Sequence, residues 1–531
     1  MKYPIGIQDF KSIVEDGYTY VDKTALVYRL VTEGKIYFLS RPRRFGKSLL
    51  VSTLEYYFKG EKRLFSGLAI ERLEKDWKNY PVFHIDFNGN DFTVQNTLQN
   101  MLLGYVEQWE REYAYVPNTR FSVGERFSQL LAHVHEITGK RCVVLVDEYD
   151  KPILDVLCTG YSAGSKECAN WQQIEDFNRE TLKSFYSVFK AADSHLKFVL
   201  LTGVTKFSQV SVFSGFNQPK DISLDSRYDA LCGITQDELN TVLEPSVEEF
   251  AQSMHVSVDE MKKLLKEKYD GYHFGRKMTD IYNPFSLLNA LDSKELNNYW
   301  FASGTPTYLV RLLNHTHENL NELTGKYYLT SDFIDYMADV ERSLPMIYQS
   351  GYLTIKGYNQ RFNTFLLDFP NNEVKEGFVN LIANNYLRTS KNSAVEAMMW
   401  VQAIETGDIN LFFRRLTAFF ASIPYSMRRK DNEHEKERYF HYTFYLLFRL
   451  MSTYIVLTEQ QQSEGRADCI IEAPNGIYIF EFKLDGTANE ALSQIDAKGY
   501  AKPYIADSRN IHKIGVSFSS YTGTIEEWVV G

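Results

Sequence analysis

Residues 41–48 of this 531-residue chain read Arg41-Pro42-Arg43-Arg44-Phe45-Gly46-Lys47-Ser48, and they indicate its fold more clearly than any other segment. It follows an apolar segment, residues 35–40, that is typical of a buried strand, and it precedes residues 49–58, whose apolar spacing predicts a helix. A turn between a strand and a helix presents backbone N–H groups at the helix N-terminus, where the helix dipole favours an anion. The sequence therefore predicts a phosphate-binding loop, with ATP and Mg²⁺ as its ligands.

The second half of this loop has residue types that suit a bound nucleotide. Gly46 allows the backbone to approach a phosphate, Lys47 reaches the β- and γ-phosphates, and the Ser48 hydroxyl ligates Mg²⁺. The standard pattern has glycine where Arg41 stands, which leaves the turn geometry open at that position. The alternative is a basic helix N-terminus without a ligand, but its positive charges then oppose the helix dipole. The predicted nucleotide-binding residues of the loop are Arg44, Phe45, Gly46, Lys47 and Ser48.

A second apolar run, residues 141–148, ends in the carboxylates Asp147 and Glu148. Continuous apolarity predicts a strand buried on both faces, and α/β sheets bind ligands at the carboxyl ends of their strands. We therefore expect Asp147 to help hold Mg²⁺, and Glu148 to orient and deprotonate the water that attacks ATP. The alternatives are a strand followed by a solvated acidic turn, or a general base at Asp150.

Two further apolar runs, residues 82–87 and 197–203, are predicted strands of the same type. Thr202, near the end of the second, is a candidate polar sensor between the γ-phosphate and the sheet, or simply a threonine at a strand end. The succession of strand, loop, helix and further strands across residues 35 to 205 predicts a doubly wound parallel α/β domain.

Composition limits the class of protein. The length favours two or three domains, and 44% hydrophobic with 15% aromatic residues favours folded domains. The net charge of −10 gives no overall attraction to nucleic acid, although a local basic channel is compatible with it. The five cysteines are scattered and indicate neither a zinc site nor a disulfide framework. The amino terminus lacks an apolar signal segment, and residues 439–457 are interrupted by Arg449 and Ser452, so we expect a cytoplasmic protein without a membrane span.

The last hundred residues carry a second pattern. Residues 465–471 and 477–483 are predicted strands joined by a turn at 473–476 with an Asn-Gly hairpin signal. Glu481 and Lys483 lie two apart and therefore project from one face, where Asp468 on the first strand can oppose them. Asp468 and Glu481 are predicted ligands of Mg²⁺, and Lys483 is predicted to position or activate water for phosphodiester hydrolysis.

Two flanking helices are predicted to support this site. Glu437, in a predicted helix over 433–451, can add a carboxylate, and Gln494, in a predicted helix over 491–500, can add an amide. The alternative is a charged hairpin edge on which Glu481 and Lys483 are simply solvated.

The chain resembles the bacterial two-part family with an amino-terminal AAA-ATPase-like domain and a carboxy-terminal PD-(D/E)XK nuclease-superfamily domain. The matching stretches are residues 20–24, 41–48, 146–152, 282–286, 465–468 and 481–483. The resemblance implies a P-loop NTPase (AAA-like) domain at 1–230, a helical lid at 231–390, and an α/β PD-(D/E)XK nuclease-like domain at 391–531. It also makes Arg41 a family trait, and it identifies no arginine finger.

Three functions remain open from the sequence. The first is an ATP-driven or ATP-gated nuclease acting on nucleic acid, with DNA the favoured substrate. The second is a regulatory NTPase switch whose nuclease-fold domain only binds a partner or nucleic acid. The third is a scaffold with both sites silent, which the nearly complete motifs argue against. The sequence leaves a homo-oligomer open.

Overall fold

The computed structural model describes residues 1–157, 166–206, 219–303, 323–334, 343–387, 393–422, 443, 447, 451, 456–458, 461–462, 465–466 and 469–531. The chain divides into two compact units, Met1–Val374 and Lys375–Gly531. The functional division at 1–230, 231–390 and 391–531 stays a prediction.

The first unit is built around a five-stranded parallel sheet with the strand order β2-β3-β4-β1-β5. These strands are β1 (Ile36–Ser40), β2 (Val82–Asp86), β3 (Cys142–Asp147), β4 (Leu196–Gly203) and β5 (Lys220–Asp221). All six residues of β3 are buried, as the apolar run predicts for a central strand. The expectation of a parallel α/β sheet is confirmed.

Helices surround this sheet and continue beyond it along the chain. The described helices of the first unit are α1 (Phe10–Glu15), α2 (Thr24–Glu33), α3 (Lys47–Phe58), α4 (Ala69–Leu73), α5 (Thr97–Glu112), α6 (Val123–Thr138), α7 (Lys151–Leu154), α8 (Lys166–Ala191), α9 (Gln236–Thr241), α10 (Glu244–Met254), α11 (Val258–Tyr269), α12 (Pro284–Ser293), α13 (Tyr299–Ala302), α14 (Thr330–Ile334) and α15 (Leu344–Gln349). Short 3₁₀ turns lie at Lys62–Phe65, Asp193–His195 and Asp229–Leu231.

The region predicted to be a helical lid contains more than helices. Thr235 opens α9 with a capping box to Glu238, and α11 ends at Tyr269, shortly before Gly271. The same region also holds a short antiparallel pair, β6 (Ile234–Thr235) with β7 (Ile281–Tyr282). A three-stranded antiparallel sheet follows, in the order β8 (Lys326–Leu329), β10 (Thr364–Asp368), β9 (Thr354–Asn359). These strands were not predicted, because their apolar alternation is short and interrupted by polar residues.

The helix α16 (Asn372–Leu387) crosses the boundary between the two units. The second unit continues with α17 (Ser393–Glu405), α18 (Ile409–Ser422) and α19 (Ala488–Ala497), and has a 3₁₀ turn at Lys502–Tyr504. Its described strands are β11 (Val456–Thr458), β12 (Gln461–Gln462), β13 (Gly465–Arg466), β14 (Cys469–Ala473), β15 (Gly476–Leu484), β16 (Asn510–Phe518) and β17 (Ile525–Val530).

Five of these strands form a mixed sheet in the order β11-β14-β15-β16-β17. β14 and β15 form the predicted antiparallel hairpin, whereas β15 and β16 run parallel. The single strand predicted over 465–471 is instead two strands, β13 and β14, with residues 467–468 outside the described part of the chain. α19 packs on β15 and β16 over a core that includes Ile479 and Ile495. None of the helices in the described ranges is long and apolar enough to cross a membrane.

Candidate functional site

The loop between β1 and α3 has the backbone form that an anion site requires. Gly46, the residue before α3, has φ of 89°, and Arg44 has φ of 67°, so the chain turns through two left-handed residues. The Lys47 side chain is buried, and its Nζ donates to the carbonyl oxygens of Arg41 and Pro42 at 3.1 and 3.2 Å. The lysine thus spans the loop and is positioned beside the site predicted for phosphate.

Arg41 at the first loop position is a structural residue. Its side chain is 1% exposed, and its guanidinium donates to the carbonyl oxygens of Ser223 at 2.8 Å and Tyr228 at 3.3 Å. The guanidinium also lies 4.1 Å from the ring centroid of Phe274. The left-handed turns occur later in the loop, so glycine is not needed at position 41.

The loop opens into a cavity of about 570 Å³, within the range of roughly 300–1,000 Å³ that small-molecule and cofactor sites occupy. Lys47, Ser48 and Glu148 line it together. The lining also includes the apolar side chains of Ile5, Leu288 and Phe285. The other lining residues are Pro4, Gly6, Ile7, Gln8, Arg43, Arg44, Gly46, Leu49, Asp86, Asn88, Lys151, Val204, Pro284, Trp300, Phe301, Ser303, Ser350 and Tyr352.

Asp147 and Thr202 are brought together because their strands, β3 and β4, are neighbours in the sheet. Both are buried, and the Thr202 hydroxyl donates to Asp147 Oδ1 at 2.5 Å. The same oxygen accepts the Glu148 N–H at 3.1 Å. Thr202 therefore orients the carboxylate predicted to act at the metal, and a direct sensor role for Thr202 stays a prediction.

Glu148 has the features of an activated carboxylate. It is half-buried, and its backbone is left-handed with φ of 52°, a conformation that non-glycine residues adopt rarely and often at functional sites. Burial raises the pKa of its carboxyl group, the Lys47 charge opposes that shift, and Asp150 and Asp147 reinforce it. A raised pKa makes Glu148 a stronger proton acceptor.

Asp150, the alternative base, is occupied with structural contacts. It is 1% exposed, and its Oδ2 accepts the backbone N–H groups of Val204 and Thr205 at 3.0 and 2.6 Å and the Thr205 hydroxyl at 2.7 Å. These bonds fix the chain that leaves β4.

Two predicted nucleotide-binding residues, Arg44 and Phe45, pack their side chains against aromatic rings. The Phe45 ring is buried edge-on against Tyr272 and Phe274, with centroids 4.8 and 5.4 Å apart. The Arg44 guanidinium lies 4.9 Å from the centroid of Phe285, on the cavity wall. Phe45 can therefore offer only its backbone to a ligand, whereas Arg44 remains at the rim of the cavity.

Several residues that line the cavity were not predicted from the sequence. Arg43 lies in the phosphate loop, and Asp86 ends the apolar run of β2, which was a usable sequence signal. In the sheet, Asp86 is the register partner of Asp147. Phe285 and Trp300 come from distant positions, and no local pattern marked them.

In the second unit, Glu481, Lys483 and Gln494 form one cluster. Glu481 is 3% exposed, and its Oε1 lies 3.8 Å from Lys483 Nζ. The Gln494 amide bridges the two residues, since its nitrogen donates to Glu481 Oε1 and its oxygen accepts from Lys483 Nζ at 2.5 Å. The common face predicted from their spacing is thus present, and α19 supplies the amide.

Gly515 makes this bridge possible. It is the register partner of Glu481 on the parallel strand β16, and a Cβ atom there would lie 2.1 Å from the carbonyl oxygen of Ala488 and 2.5 Å from the nitrogen of Leu492. Only glycine lets the backbone of α19 approach the sheet this closely.

The two other residues predicted for this site, Asp468 and Glu437, lie outside the described residues. In the described part of the chain, no group of three or more His, Cys, Asp and Glu side chains is placed to hold a metal ion. The oxygen atoms of Glu481, and of Ser48 and Asp147 in the first unit, are still suitable ligands for Mg²⁺. This ion prefers oxygen ligands and is usually bound through one or two carboxylates together with water or phosphate.

Two family models match separate parts of the chain. The model of a predicted AAA-ATPase family matches residues 4–213, and that of a PD-(D/E)XK nuclease superfamily matches residues 435–528. The chain belongs to the family that joins these two domains, and the predicted fold class is confirmed. A relative described as "Uncharacterized protein in vnfD 5'region", from Azotobacter chroococcum mcd 1, is 36% identical over 539 positions, which cover 100% of this chain and 98% of the relative.

Two solved structures are also similar in part. The ORC2 protein of Aeropyrum pernix, in ADPNP–ADP complexes, matches with 11% identity and a TM-score of 0.24 over 68% of this chain and 93% of its own. The Cdc6p protein of Pyrobaculum aerophilum matches with 12% identity and a TM-score of 0.22 over 68% and 91%. Similarity at this level carries no information about ligands or partners.

Proposed function

We propose that the first unit binds ATP with Mg²⁺ and hydrolyses it. The observation that carries the proposal is the cavity in which Lys47, Ser48 and Glu148 face one space at the N-terminus of α3. Phosphate oxygens bound there would accept hydrogen bonds from the loop N–H groups. The Lys47 ammonium would then donate to phosphate oxygens instead of to the carbonyl oxygens of Arg41 and Pro42. Ser48 would hold the metal ion, with Asp147 behind it, and the bound ion would neutralise charge on the phosphate oxygens.

Glu148 acts as the general base in this proposal. Glu148 lines the cavity, its raised pKa suits proton abstraction from water, and Asp147 Oδ1 accepts its backbone N–H. Arg43 lines the same cavity and adds positive charge opposite the phosphates.

The test is nucleotide binding by the variant Lys47→Ala. Removing the buried ammonium should abolish measurable ATP binding in calorimetry, because the β- and γ-phosphates lose their compensating charge. Lys78→Ala is the matched control, since that lysine is exposed and pairs with Asp76 away from the cavity lining. Equal affinity of the parent and the Lys47 variant would contradict the proposed site.

For the second unit we propose Mg²⁺-dependent hydrolysis of nucleic acid phosphodiesters, with DNA as the favoured substrate. The support is the buried carboxylate of Glu481 beside the Lys483 amine, together with the nuclease-superfamily match. Glu481 would hold the metal ion, Lys483 would act on the attacking water, and Asp468 and Glu437 are proposed to complete the site.

One observation favours the alternative of an NTPase switch whose nuclease-fold domain only binds. Gln494 engages both Glu481 and Lys483, so the two groups that chemistry would use already contact a neutral amide. Incubation of the full chain with Mg²⁺ and plasmid, linear or single-stranded DNA, with and without ATP, separates the two functions. Cleavage that Lys483→Ala abolishes and the exposed-lysine control Lys498→Ala preserves supports the nuclease. Binding of DNA without cleavage supports the switch.

A cytoplasmic location and a homo-oligomeric state stay predictions.

A further inference from the structure

The phosphate loop is attached to a distant indole. Trp300 Nε1 donates to the carbonyl oxygen of Arg43 at 3.1 Å, across 257 positions of sequence. Trp300 is 6% exposed, and its ring packs 5.1 Å from that of Tyr352. Both rings line the cavity proposed to bind nucleotide. Trp300 therefore contacts the loop backbone and borders the ligand space.

The backbone of Trp300 is itself fixed by a buried carboxyl group. Its N–H lies 2.7 Å from Glu373 Oε1 and 3.2 Å from the Ser286 hydroxyl oxygen. Glu373 and Ser286 are fully buried. Loss of both acceptors would leave the buried N–H of Trp300 without a partner, which costs free energy of folding. The position of the Trp300 backbone is therefore strongly favoured.

Glu373 occupies the first turn of α16, which runs from Asn372 to Leu387 and crosses from the first unit into the second. Two hydrogen bonds in series therefore join the loop to this helix: the Arg43 carbonyl to the indole, and the Trp300 N–H to Glu373.

We propose that Trp300 and Glu373 are positioning residues that make nucleotide occupancy of the cavity and the conformation of α16 interdependent. The inference rests on the proposed function, because it takes a nucleoside triphosphate as the ligand of the cavity. Phosphate would draw Lys47 away from the carbonyl oxygens of Arg41 and Pro42, which directly precede Arg43. A shift of the Arg43 carbonyl either moves the indole with it or breaks the bond, and the indole is tied to α16. By linkage, the free energy by which bound nucleotide shifts α16 between two conformations equals the free energy by which that same shift of α16 changes nucleotide binding.

The test is hydrogen exchange of the full chain with and without ATP and Mg²⁺, followed in peptides that cover residues 372–387. In the parent, nucleotide should change the exchange rate of these amides. Trp300→Phe keeps a ring but removes the donor, so the nucleotide effect on α16 should disappear while ATP affinity falls only about 2- to 10-fold, as expected for one hydrogen bond. Trp77→Phe is the matched control, because Trp77 packs on Tyr57 and Phe65 and is not among the cavity residues.

Variants at Glu373 keep the test valid if Trp300→Phe fails to fold. Glu373→Ala removes the acceptor and should abolish the coupling, whereas Glu373→Gln keeps a carbonyl acceptor and should retain it. A purely structural role would change stability in both variants without this contrast in the response to nucleotide. If the parent binds ATP in calorimetry and α16 does not respond, or if Trp300→Phe still responds fully, the coupling is overturned and the nucleotide site stands. If the parent binds no ATP, the proposed function fails, and the coupling fails with it.

Discussion

Replacement of Glu373 by glutamine should stabilise the first unit above neutral pH. Burial raises the pKa of the Glu373 carboxyl group from its ordinary value of 4.5 to about 7, and hydrogen bonds from Ser286 and the Trp300 N–H only partly oppose this shift. The folded state therefore holds the proton more tightly than the unfolded state. The stabilisation from this group is complete below the unfolded pKa, falls as the pH rises, and is lost above about pH 7.

The size of the effect follows from the two pKa values. Their difference corresponds to about 3 kcal/mol lost between pH 4.5 and pH 7, at about 1.4 kcal/mol per pKa unit. Glutamine resembles the protonated carboxyl group at every pH and keeps a carbonyl acceptor for the Trp300 N–H. Glu373→Gln should thus match the parent within about 1 kcal/mol near pH 5 and exceed its stability by up to about 3 kcal/mol near pH 8.

The assay is urea unfolding of both proteins at several pH values, monitored by tryptophan fluorescence and by circular dichroism. Burial also raises the pKa of Asp270, to about 6, but this group is present in both proteins and cancels in the difference. A stability difference that stays constant between acidic and alkaline pH, or a variant less stable than the parent at alkaline pH, would contradict a raised pKa of Glu373.

Three further substitutions are expected to change ATP hydrolysis, DNA cleavage or stability. Glu148→Gln should slow ATP hydrolysis about 10²–10⁴-fold while affinity stays near that of the parent, so that bound ATP accumulates; parental turnover would place the base elsewhere. Lys483→Ala should stop Mg²⁺-dependent cleavage of DNA and leave ATP hydrolysis intact, as measured on the same preparation; cleavage at the parental rate would exclude this lysine from the chemistry. Gly515→Ala should destabilise the second unit by about 1–3 kcal/mol, because its Cβ overlaps the backbone of α19, and unchanged thermal unfolding would contradict the close approach.

Several stretches that carried the family resemblance have structural tasks. Asp22 Oδ1 accepts the Thr24 N–H and starts α2, while its Oδ2 accepts the Ala69 N–H at the start of α4. Lys23 pairs with Glu238 of the capping box of α9 at 2.6 Å. Asn283 caps α12 by accepting the Ser286 N–H. These contacts hold the elements that surround the cavity, and substitutions there should act through stability.

Features that depend on consecutive residues could be predicted from the amino-acid sequence. The strand, the phosphate loop and α3 follow one another directly, so apolar spacing and the Gly-Lys-Ser triplet were sufficient to predict them. The end of β3 at Asp147 and the β14–β15 hairpin around an Asn-Gly turn are equally local. Glu481 and Lys483 share a face because side chains alternate along any strand.

Contacts between groups from separate segments became evident only in the folded chain. Strand order placed Thr202 on Asp147, and the close approach of α19 at Gly515 brought Gln494 to the Glu481–Lys483 pair. The contacts of Trp300 with the loop and with Glu373 leave no local pattern, and the antiparallel sheet β8-β10-β9 was missed for a related reason. Periodicity and turn signals report the conformation of neighbouring residues, whereas these contacts arise only when the packed chain brings distant segments within hydrogen-bonding distance.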